Sequence, residues 1–146
     1  MPDEFERVYT VNDWYDGPRT GFATYRGLPA RYLSRWDNAS GGWAPFYELE
    51  IVTAEVIALA CEDWMIWRRW QQAYHAGSVS EDSWPALPDE RGRSAELRQV
   101  LEPLLANPPV DPMYASGEFR RDPRGNPTHR EPYDLEVCWR DAGARP

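Results

Sequence analysis

Four side chains in this sequence carry the nitrogen and sulfur donors that zinc prefers: Cys61, His75, His129 and Cys138. A Cys₂His₂ site draws its ligands in pairs spaced about two to five residues apart. No pair here has that spacing. Cys61 and His75 fall on one predicted helix, about 21 Å apart along its axis. Two ligands of one zinc ion must each lie about 2.0–2.3 Å from it. The sequence therefore predicts no metal site and two buried free thiols, as suits a reducing compartment. It predicts no cofactor either. Gly41-Gly42 runs into Trp43-Ala44-Pro45, without the Lys and Ser/Thr of a phosphate loop. No G-x-S-x-G elbow is present. Asp63, His129 and Arg19 remain as candidates for acid–base or electrostatic catalysis, with no reaction class attached. His75, near a helix C-terminus, reads more simply as a favourable cation.

Asp63 is the most informative of these. On a helical wheel it falls inside an apolar arc, beside Leu59, Trp67 and Trp70. A carboxylate there must be paired, protonated or placed at a cleft, because an isolated buried charge is very costly. It reads either as a structural Asp held by an Arg, a Tyr hydroxyl or a Trp N–H, or as a functional group with a raised pKa.

The eight Trp give the second set of candidates. Trp64, Trp67, Trp70 and Tyr74 recur at helical spacing and read as core. Trp14, Tyr15, Trp36, Trp43 and Trp84 lie instead in or beside loops rich in Asp, Asn, Gly and Pro. Loop tryptophans are enriched at binding surfaces, but they also fold back to cover sheet edges, and the two readings stay open. The predicted binding set is Trp14, Tyr15, Asp16, Arg19, Trp36, Trp43, Asp63, Trp67 and Trp84. The stretch from Asp13 to Gly21 is motif-like, with no mechanism attached.

Charge narrows the partners. The net charge is −8, and all sixteen positive residues are Arg. Nucleic acid and anionic membranes are polyanions, so neither is expected as a partner. The basic run near Arg120, Arg121 and Arg124 is interrupted by Glu118, Asp122, Glu131 and Asp134, and reads as a solvated hairpin. Nine acids between Glu48 and Glu90 face only Arg68 and Arg69 in the same stretch. That balance would steer a basic protein partner. Asp3, Glu4 and Glu6 stand where a secretory leader would carry basic and then apolar residues, and no run approaches the ~20 apolar residues of a membrane span. A soluble, cytoplasmic protein is expected.

These residues need a frame. Alternating patterns predict strands from Val8 to Val11, Phe22 to Tyr25, Ala30 to Trp36 and Phe46 to Val52. Arg26-Gly27-Leu28-Pro29 reads as a four-residue hairpin connection and Asp37 to Gly42 as a flexible loop. Tyr47, Leu49 and Ile51 share one face, with Glu48 and Glu50 on the other. A long helix is predicted from about Ala54 to Ala76, capped by Thr53 and stopped by Gly77. Glu55, Glu62 and Arg69 form a narrow polar stripe on it. A second helix begins between Pro88 and Ser94, and Pro103 is expected to kink or end it. Tyr114 to Arg121 and Tyr133 to Arg140 predict a terminal hairpin with Ala115, Gly117, Phe119, Leu135, Val137 and Trp139 facing one way.

The order β-β-β-β-α-α-β-β is that of an α+β fold. The expectation is an antiparallel sheet of about five to six strands, open or closed into a barrel, packed against a long Trp-rich helix and a shorter one. Residues 1–140 are read as one domain and 141–146 as a frayed tail. The leading functional expectation is a non-enzymatic interaction factor (an adaptor, inhibitor or immunity-like protein) with an acidic, aromatic-rich surface. A small-ligand module with a Trp-lined pocket between sheet and helix, and a small enzyme using Asp63 or His129, are the alternatives. The sequence leaves a homo-oligomer open.

Overall fold

The computed structural model describes residues 4–124 and 134–142. The chain divides into two compact units, Met1–Thr53 with Pro109–Pro146, and Ala54–Pro108. Among the described residues the first is all β and the second is helical, so the α+β expectation holds.

The first unit is a closed antiparallel barrel. Its strands are β1 (Glu6–Trp14), β2 (Pro18–Tyr25), β3 (Leu28–Leu33), β6 (Tyr47–Ile51), β7 (Met113–Arg121) and β8 (Leu135–Asp141). β8 closes onto β1 through Glu6↔Val137 and Arg7↔Glu136. Closure removes the exposed edges that an open sheet would present. Two short strands, β4 (Trp36–Asp37) and β5 (Gly42–Trp43), form a separate ladder between β3 and β6.

Three local readings need correction. The β2–β3 connection is only Arg26-Gly27, with Tyr25 paired to Leu28. Both turn residues have positive φ, 51° and 79°, as a two-residue hairpin of the I′ kind requires. Residues 37–42 are not a loose loop. The Asp37 carboxylate accepts the Ala39 N–H at 3.0 Å and its carbonyl accepts the Gly41 N–H at 2.9 Å. That local bonding sets a tight hairpin. Finally, β8 runs through Asp141, which pairs with Ala115, so order extends past the predicted end at 140. Residues 143–146 lie outside the described ones.

Alternation places much of the barrel core as the pattern predicts, but Ile51 is exposed, and Glu136 and Cys138, on the opposite face of β8, are buried too. Tyr32, Tyr47, Phe119 and Trp139 meet inside, with ring centroids 5.5–6.3 Å apart. These are the tilted and edge-to-face separations that aromatic rings prefer. Tyr25 adds a fifth ring, 6.4 Å from Trp139. Two glycines make the room. A Cβ on Gly117 would sit 2.7 Å from the Trp139 ring, and one on Gly21 would sit 2.5 Å from the Tyr32 hydroxyl. The buried polar ends are satisfied. Tyr32 donates to the Thr10 carbonyl and Tyr47 to the Pro18 carbonyl, both at 2.8 Å. The Trp139 N–H donates to the Thr24 carbonyl at 2.9 Å.

The second unit holds α1 (Ala54–His75) and α2 (Arg91–Ala106). Two residues of the predicted polar stripe of α1 form exposed ion pairs with residues at the start of α2. Glu62 pairs with Arg93 at 2.7 Å and Arg69 with Glu90 at 2.5 Å. Ala60, Ile66 and Trp70 of α1, and Leu97 and Leu101 of α2, are buried. Pro103 does not end α2, which continues to Ala106. Proline leaves the carbonyl four residues earlier without its donor. That carbonyl belongs to Gln99, and both residues are exposed, so water can replace the lost bond. Among the described residues, no helix is long and apolar enough to cross a membrane.

Candidate functional site

The turn from β1 to β2 and the β4–β5 hairpin meet at one end of the barrel. The stretch Asp13–Gly21 builds most of that meeting place, and each part of it has a task. Asp16 and Gly17 take positive φ, 54° and 125°, which turns the chain tightly enough for the Tyr15 N–H to reach the Gly17 carbonyl at 2.8 Å. Aspartate tolerates the first conformation better than most residues, and the second favours glycine. Thr20 donates to the Asp13 carboxylate at 2.9 Å.

Arg19 ties these parts together. Its Nε donates to the Tyr15 carbonyl at 2.6 Å and its Nη2 to the Asp16 carbonyl at 2.7 Å. Its Nη1 reaches Ser34 Oγ at 3.3 Å. The guanidinium lies 4.3 Å over the Trp43 ring, a separation at which a cation is attracted to the ring face. One side chain thus fastens the β1–β2 turn to the end of β3 and to β5.

The aromatic rings then fall into one cluster. Trp43 sits 6.1 Å from Tyr15 and 5.4 Å from Trp36, at right angles to the latter. The Trp43 N–H is buried and meets no acceptor among the described residues, so the ring is held by its aromatic neighbours and the Arg19 guanidinium. Trp14, Tyr15 and Trp36 are 42%, 72% and 52% exposed. Tyr15, Asp16, Arg19, Trp36 and Trp43 of the predicted set are linked by these contacts, and Trp14 ends the strand that leads into them. Arg19 has a supporting part here, with its donors directed at its own turn.

Asp63, Trp67 and Trp84 belong to the helical unit. Asp63 on α1 faces Arg98 on α2 with Oδ1 3.8 Å from Nε, which is beyond hydrogen-bond reach. Burial pushes the Asp63 carboxyl up, the Arg98 charge pulls it down, and Glu102 raises it. Arg98 also lies 4.9 Å over the Trp84 ring. Asp63 Oδ1 and Arg98 Nε are both buried without a hydrogen-bond partner among the described residues, so the two charges face each other with no hydrogen bond between these atoms. Trp67 packs 5.1 Å from Trp64 on the same helix. His129 lies outside the described residues. Among the described residues no group of three or more His, Cys, Asp or Glu is placed to hold a metal ion.

Sequence reasoning missed three supports: Ser34 and Tyr47 at the barrel end, and Arg98 beside Asp63. Only Arg98 had a signal, since a half-buried acid demands a cation. The acidic reading of residues 48–90 also changes. Glu48 pairs with Arg35, Glu50 with Arg31, Glu62 with Arg93, Asp63 with Arg98 and Glu90 with Arg69. Most of these arginines are distant in sequence, so a local count overstates the free negative charge.

No protein-family model matches the chain, and no curated protein or solved structure is significantly similar to it.

Proposed function

We propose that this chain is a protein-interaction factor that docks a partner on the aromatic end of its barrel. The observation that carries the reading is the Arg19 clamp. It holds exposed rings in one arrangement, so little conformational entropy remains to be lost when a partner covers them. Tryptophan and tyrosine held in this way are the side chains that most often dominate protein interfaces. The barrel interior supports the same reading, since it is occupied by the chain's own rings.

The test is native mass spectrometry of the full chain after gentle isolation at low salt, run beside Trp36→Ala. The expected result is a second protein in fixed stoichiometry with the parent chain and its loss from the variant, with the circular dichroism of the two unchanged. Equal recovery by both chains would overturn the assignment of the face.

A further inference from the structure

The geometry points to an arginine side chain, carried on a basic segment of a partner protein, as the group this barrel end recognises. The inference rests on the docking face proposed above and names its chemistry.

Three observations converge on it. The first is charge. Asp13 flanks Trp14, Asp16 flanks Tyr15 and Asp37 follows Trp36. The three carboxylates outnumber the single charge that Arg19 keeps there, and the N–H groups of the neighbouring arginines are engaged. Arg19 is bonded to two carbonyls of its own turn, and Arg35 pairs with Glu48. The carboxylates of Asp13 and Asp37 each accept one internal hydrogen bond. A carboxylate has about four acceptor positions, so both retain capacity for an incoming donor.

The second is the rings. An aromatic face is electron-rich and attracts a cation, and a planar guanidinium also stacks on it. Trp36 stands exposed at right angles to Trp43. Exposed indoles, with carboxylates carried on the same turn and hairpin, supply both kinds of group that a guanidinium needs: a flat face and charged acceptors.

The third is an internal precedent. Arg19 lies over Trp43 with its N–H groups on the carbonyls of Tyr15 and Asp16. The molecule already binds one guanidinium by ring stacking plus edge-on oxygen acceptors. A partner's arginine would repeat that arrangement on the outward side.

A second copy of the chain fits less well. A two-fold contact would set the same patch against itself, bringing Asp13, Asp16 and Asp37 against their own duplicates. Like charges facing each other across an interface are strongly disfavoured.

The experiment uses the full chain labelled at its tryptophan indole nitrogens and three probes. These are a short peptide of alternating Gly and Arg, the same peptide with each Arg replaced by neutral citrulline, and the same peptide with Lys. The expected result is that the Arg peptide shifts the indole signals of Trp36 and Trp14 and leaves Trp64 and Trp70 in place. Affinity should fall about tenfold or more with the citrulline peptide, and by a similar factor in the triple variant Asp13→Asn, Asp16→Asn, Asp37→Asn. Asparagine keeps an acceptor at each position and tolerates the left-handed backbone of residue 16, and an unmoved Trp139 signal certifies the barrel. Weaker binding of the Lys peptide would confirm that stacking contributes.

Equal binding of the citrulline peptide, or full affinity in the triple variant, would overturn the inference. So would indole shifts that grow with protein concentration in the absence of peptide, since they would assign the face to a second copy. The two readings fail separately. A captured protein lost on Trp36→Ala but retained by the triple variant leaves the docking face standing and removes the arginine. A captured protein indifferent to Trp36 removes both.

Discussion

The barrel has two ends, and they are finished in opposite ways. At the β2–β3 hairpin end, charge meets charge. The Tyr25 hydroxyl donates to Asp141 at 2.5 Å, and Arg26 pairs with the same carboxylate. Glu6 accepts the backbone N–H groups of Arg26 and Gly27 at 3.1 Å and 2.8 Å. At the β1–β2 turn end, Arg19 is spent on its own loop, and indole and phenol rings face water beside exposed Asp13 and Asp16. Exposed rings gain little stability where they stand. A contiguous exposed aromatic patch is uncommon on a chain that works alone. On the proposed reading, the contrast separates an end that serves the fold from an end that serves contact.

The comparison can be broken from several sides. The largest effect is expected at Gly21, where a Cβ would sit 2.3 Å from the Thr10 carbonyl. Gly21→Ala should destabilise the barrel by about 3 kcal/mol, as overpacking does when backbone has to move. Urea titration followed by Trp emission checks it, and an unchanged midpoint would mean that the interior is looser than described. Next in size is Trp36→Ala, which should weaken partner binding by about 2 kcal/mol. The same variant should lose no more than about 1 kcal/mol of stability, the worth of one edge-to-face ring pair. The reverse ranking would make this end structural.

Tyr25→Phe probes the other end. It removes a hydrogen bond to a charged acceptor and should cost about 1–2 kcal/mol, while partner affinity stays level in the same titration. A fourth test uses alkaline pH. Burial pushes the Tyr32 hydroxyl well above the usual tyrosine value, with Tyr47 and Asp13 adding to the rise. Burial also raises Tyr47, against a lowering by Arg19. The unfolded chain releases these protons near the ordinary value of 10.0, while the folded chain keeps them. Their contribution is complete below that value and is lost as pH rises through the raised folded values. Denaturant midpoints should therefore fall with pH in the alkaline range, and Tyr32→Phe should flatten the fall.

The smallest effect is expected outside the barrel. Asp63 is also raised by burial, so stability is lost as pH rises through its folded value. Asp63→Asn should be at least as stable as the parent at neutral pH, by less than about 1 kcal/mol, and the difference should close as pH falls. A large loss in the variant at neutral pH would show that Arg98 depends on the charge.

The strand faces were legible because a strand's period is two. Tyr47 and Leu49, and Phe119 with Trp139, could be assigned to one side from spacing alone. Closure was not legible, since β1 and β8 meet through only two registered pairs at the chain's far ends, and no local pattern carries that. The Asp13–Gly21 stretch looked distinctive for a physical reason: a left-handed Asp, a turn glycine, a clamping Arg and a glycine without room for a Cβ lie within nine positions. What could not be read was the pairing of charges. Glu48 with Arg35 and Glu62 with Arg93 join residues brought together only by the fold. Five of the nine acids read from residues 48–90 are thus paired with arginines, and the proposed recognition rests instead on Asp13, Asp16 and Asp37.

One topological detail bears on how the molecule is assembled. Leu49 of β6 pairs with Met113 of β7, although the whole helical unit lies between them in the chain. Closing a tenfold longer connection costs only about 2 kcal/mol more in chain entropy. The β6–β7 seam thus tolerates an insert whose size is almost irrelevant to the ladder it interrupts. Time is affected more than stability. Strands β1 to β3 and β6 can meet through short connections, whereas β6–β7 and β1–β8 must wait for distant segments. The helical unit is, to the ladder it interrupts, an exchangeable guest, and the seams that join distant segments are the ones expected to form last.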